Sequence, residues 1–166
     1  MWGGLAAWAL ALGAFYVARP ARAAPRPGER VLHAGLTGRS VSGAALALLP
    51  RDSVVAVLGA TSECAACRVG IPAYREIAAR LKEEGIALRV IVGSDSLAAR
   101  QFSRLLPEPG AVVWDPRQKL FQRIGIRSVP SLLLVGRDGR LLKTWVPLST
   151  DPRVAEEIAG AVAAER

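Results

Sequence analysis

The chain has 166 residues, 51% of them apolar and 22% charged, with a formal net charge of +8. That length holds one ordinary domain and a tail rather than two domains, and the composition is far from that of a disordered chain. The positive charge is carried mainly by arginines spread singly, without an aromatic-interleaved basic patch, so it reads as solvated surface charge rather than a nucleic-acid module. Cys64 and Cys67 are the only cysteines, which excludes a framework of several disulfides, and the single histidine, His33, leaves no Cys/His zinc set. His33 therefore reads as a surface residue, and neither metal nor cofactor is expected.

Trp2 to Ala18 contains no charged residue and lies at the lower edge of the length that spans a bilayer as a helix. Residues 1–18 are expected to form an apolar helix that serves as a membrane anchor or signal. Ala21-Arg22-Ala23 offers the small-x-small spacing of a cleavage site. Residues 19–36, rich in Ala, Pro and Arg at their start, read as a linker, and residues 37–166 as the folded domain. Arg19, Arg22, Arg26 and Arg30 follow the apolar run, a bias that taken alone would hold the domain in the cytoplasm.

Within the domain, Ser53 to Leu58 is a valine-rich run expected as a buried strand. A loop, Gly59 to Glu63, leads to a helix opened by Cys64, with Ile71, Tyr74, Ala78 and Leu81 on one face and Gly85 at its end. Ile86 to Val92 is a second buried strand. Ser94-Asp95-Ser96 supplies caps for a helix to about Leu106, and Ala111 to Trp114 is a short extended piece. Asp115-Pro116 predicts the start of a helix that stops at Gly125. Strands Leu132–Val135 and Arg140–Trp145 flank a turn at Arg137-Asp138-Gly139, and Asp151-Pro152 opens a last helix bearing Val154, Ile158 and Val162. This order implies an α/β fold with a mixed central sheet and helices on both faces.

Cys64-Ala65-Ala66-Cys67 lies where a buried strand meets a helix. Unpaired N–H groups and the positive helix end favour a thiolate at Cys64, and the two-residue spacer puts Cys67 one turn away, within disulfide reach. Cys64 is thus the expected nucleophile and Cys67 the resolving thiol. Glu63 sets a negative charge beside Cys64 and opposes its thiolate, a redox-tuning role. Arg68 is expected to point outward, where water screens it.

These residues resemble the thioredoxin superfamily, and within it the membrane-tethered or exported TlpA- and ResA-like thiol–disulfide oxidoreductases. Four features carry the resemblance, which runs from about Gly38 to the C-terminus: the stretch from Val54 to Thr61 leading into Cys64–Arg68; Pro72, five residues after the second cysteine; Gly125-Ile126-Arg127-Ser128-Val129-Pro130-Ser131; and the hairpin Arg137-Asp138-Gly139-Arg140. The resemblance implies a thioredoxin-like fold and a cis Val129–Pro130 bond facing the cysteines, with the Val129 backbone pairing with a substrate chain. It also implies protein thiols or disulfides as partners, a membrane thiol electron donor, and a domain held outside the cytoplasm by its N-terminus or released there after cleavage. Three family features are absent. Glu63 stands where Trp or Pro is usual, no acid occurs among Val54 to Leu58, and Gly70 replaces the glutamate of cytochrome-maturation relatives. Two other classes compete. Thr61-x-x-Cys64 echoes a peroxiredoxin motif, although Val57 replaces its proline, and a copper-delivery module would want a wider cysteine spacing and a downstream histidine.

Overall fold

The computed structural model describes residues 24–106 and 111–164. Seven strands, β1 (Thr37–Ser40), β2 (Ala45–Ala47), β3 (Val55–Ala60), β4 (Ala87–Val92), β5 (Val112–Trp114), β6 (Ser131–Val135) and β7 (Leu141–Trp145), form one sheet in the order β2-β1-β5-β4-β3-β6-β7. β3, β4 and β5 run parallel, while β1 pairs antiparallel with β5 and with β2, and β6 antiparallel with β3 and with β7. The helices are α1 (Ala65–Val69), α2 (Ile71–Glu83), α3 (Ser96–Leu105), α4 (Lys119–Ile124) and α5 (Pro152–Ala163).

Every residue of β3 is buried, because the strand is covered on both faces and its unbroken apolar run satisfies both. Ala56, Leu58 and Ala60 face a layer containing Tyr74 and Leu81 of α2, Phe102 of α3 and Ile158 of α5. Val55 and Val57 face the other way, toward Phe121 and Ile124 of α4 and toward Leu32 and Leu36. Helices therefore lie on both faces of a mixed sheet, as the pattern predicts.

Three expectations need correction. The single helix from Cys64 to Gly85 is two helices that meet at Gly70. Pro72 has no N–H for the carbonyl of Arg68, and its ring would crowd that carbonyl, so the first helix stops and the second begins with proline inside its first turn. Asp115-Pro116 does not start a helix directly. Pro116 and Arg117 form a turn, Gln118 sits in the left-handed region at φ 53°, and α4 begins at Lys119. Asp115 still serves that helix, because its carboxylate accepts from the N–H groups of Lys119 (2.9 Å), Leu120 (2.8 Å) and Phe121 (3.1 Å).

The third correction concerns the linker. From residue 28 onward it belongs to the domain: Gly28 N donates to Leu141 O (2.7 Å), Leu141 N to Glu29 O (2.8 Å), and Val31 N and Leu32 N both to Gly139 O. Val31, Leu32 and Leu36 are buried in the second core layer. The turn that receives them requires glycine. Gly139 has φ +82°, and a Cβ there would strike the Leu32 carbonyl. The expected apolar helix at 1–18 lies outside the described residues, and among the described residues no helix is long and apolar enough to cross a membrane.

Candidate active site

β3 delivers the chain to the carboxyl edge of the sheet, and Thr61 to Glu63 turn it into α1. Cys64 is the N-cap of α1, with extended backbone (φ −75°, ψ 108°), and its Sγ accepts a hydrogen bond from the Cys67 N–H at 3.1 Å. The two sulfurs are joined in a disulfide, with Cα atoms 5.2 Å apart. Cys64 is half-buried and Cys67 wholly buried. Because α1 is one short turn, stabilisation of charge at Cys64 rests on that local N–H more than on a long helix dipole.

The Val129–Pro130 bond is cis, and the Val129 carbonyl oxygen lies 3.7 Å from Cys64 Sγ, within reach of a donated S–H in the reduced protein. Pro130 is buried, and its carbonyl accepts from Leu148 N at 2.8 Å. That contact ties the cis segment to the chain leaving β7, where Val146–Pro147 is a second cis bond. Sequence reading passed over this second one. Its only signal was a Val-Pro pair at a strand end like that of Val129-Pro130.

Glu63 is exposed, yet it is held. Its carboxylate accepts from Ser62 Oγ (2.7 Å) and from Ser94 Oγ (3.2 Å), and Ser94 Oγ in turn accepts from Ser62 N (2.7 Å). The Ser62 hydroxyl, followed by backbone and Ser94 donors, holds the Glu63 carboxyl below its ordinary pKa, so the negative charge beside Cys64 persists under mildly acid conditions. Ser94 is itself anchored through its carbonyl, which accepts from Trp114 Nε1 at 2.9 Å. Arg68 is exposed, as expected, but it is not free of the loop. Its guanidinium folds back to donate to the Ser62 carbonyl, which places a cation over the same loop.

Beneath the cysteines, Tyr74 is 2% exposed, and its hydroxyl has no hydrogen-bond partner. Burial pushes that hydroxyl's pKa up to about 12. The ring lies against Gly70, where a Cβ would fall on the Tyr74 hydroxyl. Gly70 is thus glycine for lack of room. Ser131 Oγ is a second buried hydroxyl without a partner, next to Gly59 of β3. His33 is exposed.

No family model matches the sequence, and no curated protein does. Solved structures do match in fold. A protein assigned as the thiol:disulfide interchange protein DsbE of Chlorobium tepidum superposes with a TM-score of 0.71 at 21% identity, over 86% of this chain and 99% of that one. The chain has the thioredoxin-like fold. A secreted disulfide oxidoreductase of Mycobacterium tuberculosis shares this thioredoxin-like fold with a TM-score of 0.57 at 19% identity, covering 78% of this chain and 95% of that one. An exposed lipoprotein thioredoxin of Streptococcus pneumoniae does so with a TM-score of 0.56 at 23% identity, covering 74% and 98%. Such thioredoxin-like domains bear on this chain through its own Cys64–Cys67 pair, which stands at the end of a central parallel strand and opposite a cis-proline.

Proposed function

We propose that this chain is a thiol–disulfide oxidoreductase acting on proteins through Cys64 and Cys67, and that it works as a reductant. The observation that carries the reading is the juxtaposition of the Cys64–Cys67 disulfide with the Val129 carbonyl beside cis-Pro130. In the reduced form the Cys64 thiolate attacks one sulfur of a partner disulfide, and the partner's other sulfur leaves as a thiolate that takes up a proton. The Cys67 thiol then loses its proton and attacks Cys64 Sγ in the mixed disulfide. The Cys64–Cys67 bond forms and the second partner thiol is released, so two electrons have passed to the partner. A dithiol donor must return them, and a membrane thiol donor fits a domain tethered by residues 1–18.

Val129 and Pro130 line the approach to Cys64, and the Val129 backbone is the natural rail for an extended substrate segment. Only Cys64 is open to it, which makes Cys64 the attacking thiol and buried Cys67 the resolving one. The direction follows from Glu63. A fixed carboxylate beside Cys64 disfavours its thiolate and so stabilises the disulfide against reduction, although Arg68 partly offsets it. Equilibration with glutathione mixtures tests this. A potential toward the thioredoxin value of about −270 mV is expected, and one near about −120 mV overturns the reductant assignment. Cys64→Ser abolishes disulfide reduction, while Cys67→Ser traps partner proteins on Cys64.

We infer that the domain works outside the cytoplasm. The apolar run Trp2–Ala18 supports this, as does the likeness in fold to a secreted oxidoreductase and to an exposed lipoprotein. C-terminal alkaline phosphatase and fluorescent-protein fusions decide it: phosphatase activity is expected, and fluorescence without it refutes the placement.

A further inference from the structure

Away from the cysteines, where the docked N-terminal segment meets the end of α4, the surface is hollowed into a cavity of about 510 Å³. Its walls are basic. Arg26 and Arg30 stand on one side, Arg123 and Arg127 on the other, and the one carboxylate among the lining residues is Glu29. Glu29 is occupied locally, since its Oε2 accepts from Arg26 N at 3.2 Å and closes the turn of residues 26–29. All four arginines are exposed, and none pairs with a carboxylate among the described residues. Arg123 answers the negative end of α4, in whose last turn it lies; the other three have no such counter-charge.

The walls are fixed rather than incidental. Gly125 ends α4 at φ +82° and packs directly on the Pro25 ring, so that a Cβ at Gly125 would collide with it. Val31 and Ile124, both buried, close the floor. Four arginines and a single carboxylate lining one hollow give it a net positive charge, which suits a ligand bearing more than one negative charge. Guanidinium forks match phosphate oxygens two at a time, and the volume lies in the range of small-ligand sites, larger than a lone ion needs.

We propose that this cavity binds a phosphate-bearing anion, which bridges the N-terminal segment (Arg26, Arg30) to the segment that leads into cis-Pro130 (Arg123, Arg127). The phosphate has two sources, a soluble phosphorylated compound or the headgroup of an anionic lipid. The lipid source rests on the membrane placement proposed above. Ala24 lines the cavity, and residues 19–23, fully extended, span at most about 18 Å from the apolar run, so the site stays within reach of a bilayer surface.

The test uses the full chain in neutral-detergent micelles, with the arginine Nε–Hε signals followed by NMR. Inorganic phosphate is titrated in one arm, and short-chain phosphatidylglycerol or phosphatidylcholine in others, with sodium chloride at matched ionic strength as the reference. Saturable shifts at Arg26, Arg30, Arg123 and Arg127 with phosphate or phosphatidylglycerol are expected. The double variant Arg26→Gln/Arg127→Gln should weaken the binding at least 10-fold, and Arg104→Gln/Arg153→Gln, which removes the same charge elsewhere, should leave it within 2-fold. Saturation by phosphatidylglycerol and not by phosphatidylcholine assigns a lipid headgroup, and saturation by phosphate alone assigns a soluble anion. Shifts that chloride reproduces, that fail to saturate, or that survive the Arg26/Arg127 variant overturn the proposal. None of these readouts involves the cysteines, so the result stands apart from that of the disulfide-reduction assay.

Discussion

The two faces of the sheet are built on different terms. One is covered by α2, α3 and α5, regular helices whose apolar residues recur at helical spacing, and it takes in Cys67 and Tyr74. The other is covered by the six residues of α4 and by an irregular N-terminal segment held to β7 and its turn through backbone hydrogen bonds. The first face owes its cover to side-chain pattern and the second to main-chain docking. The second is therefore the one that truncation can open, while the first is the one that encloses Cys67.

The largest effect should come from removing the docked segment. Val31, Leu32 and Leu36 are at most 7% exposed, and each contributes about 1.5–3 kcal/mol of burial, a sum comparable to the whole stability of an ordinary domain. A chain beginning at residue 37 should lose its cooperative thermal transition by circular dichroism, whereas one beginning at residue 24 should melt as the full chain does. Equal melting of the two would dissolve the contrast between the faces.

Single truncations sharpen it. Leu32→Ala on the second face and Leu81→Ala on the first, both nearly unexposed, should each cost about 2–5 kcal/mol in urea titrations. Only the second-face change should raise proteolysis within residues 24–36. Asp115→Ala strands three N–H groups at the start of α4 and should cost about 1–2 kcal/mol. Asp115→Asn should recover part of that.

The remaining contrasts are in pH and potential. Tyr74 keeps its proton to about pH 12 in the folded chain but releases it near 10 when unfolded. Its contribution is complete below pH 10 and is lost as pH rises from 10 toward 12. Tyr74→Phe should flatten the stability curve across that window and leave neutral pH little changed. The smallest effect is electrostatic. Glu63→Gln should make the disulfide more oxidising by roughly 5–20 mV, the scale of one exposed charge pair. Ser94→Ala, which frees the carboxylate from one donor, should shift it less.

What the sequence disclosed divides along the same line. The cysteine pair, Pro72, Pro130 and the Asp95 and Asp151 caps are local signals, and each sits where its spacing places it. The helices of the first face are legible because their period is carried by Tyr74, Ala78, Leu81, Ile158 and Val162. The docking of Leu32 has no period to read, since it depends on the Gly139 carbonyl more than a hundred residues away. The hold on Glu63 comes first from its neighbour Ser62 and then from Ser94, 31 residues on, and no local pattern announces the second. α4 starts only after a left-handed step at Gln118, and Asp115 caps it from four to six residues back, a spacing that the Asp-Pro pair does not announce.

The contact between Gly70 and Tyr74 also bears on how this sequence can drift. A side chain at position 70 requires the tyrosine ring to leave, and a residue smaller than tyrosine at position 74 leaves a void that glycine cannot fill. Each change alone is therefore disfavoured, and the viable route is a paired exchange. Among homologous chains the two positions should vary together, glycine accompanying a large aromatic and a carboxylate at 70 accompanying a smaller residue at 74. A carboxylate at position 70 is thus closed to this chain by one ring, and admitting it takes two substitutions.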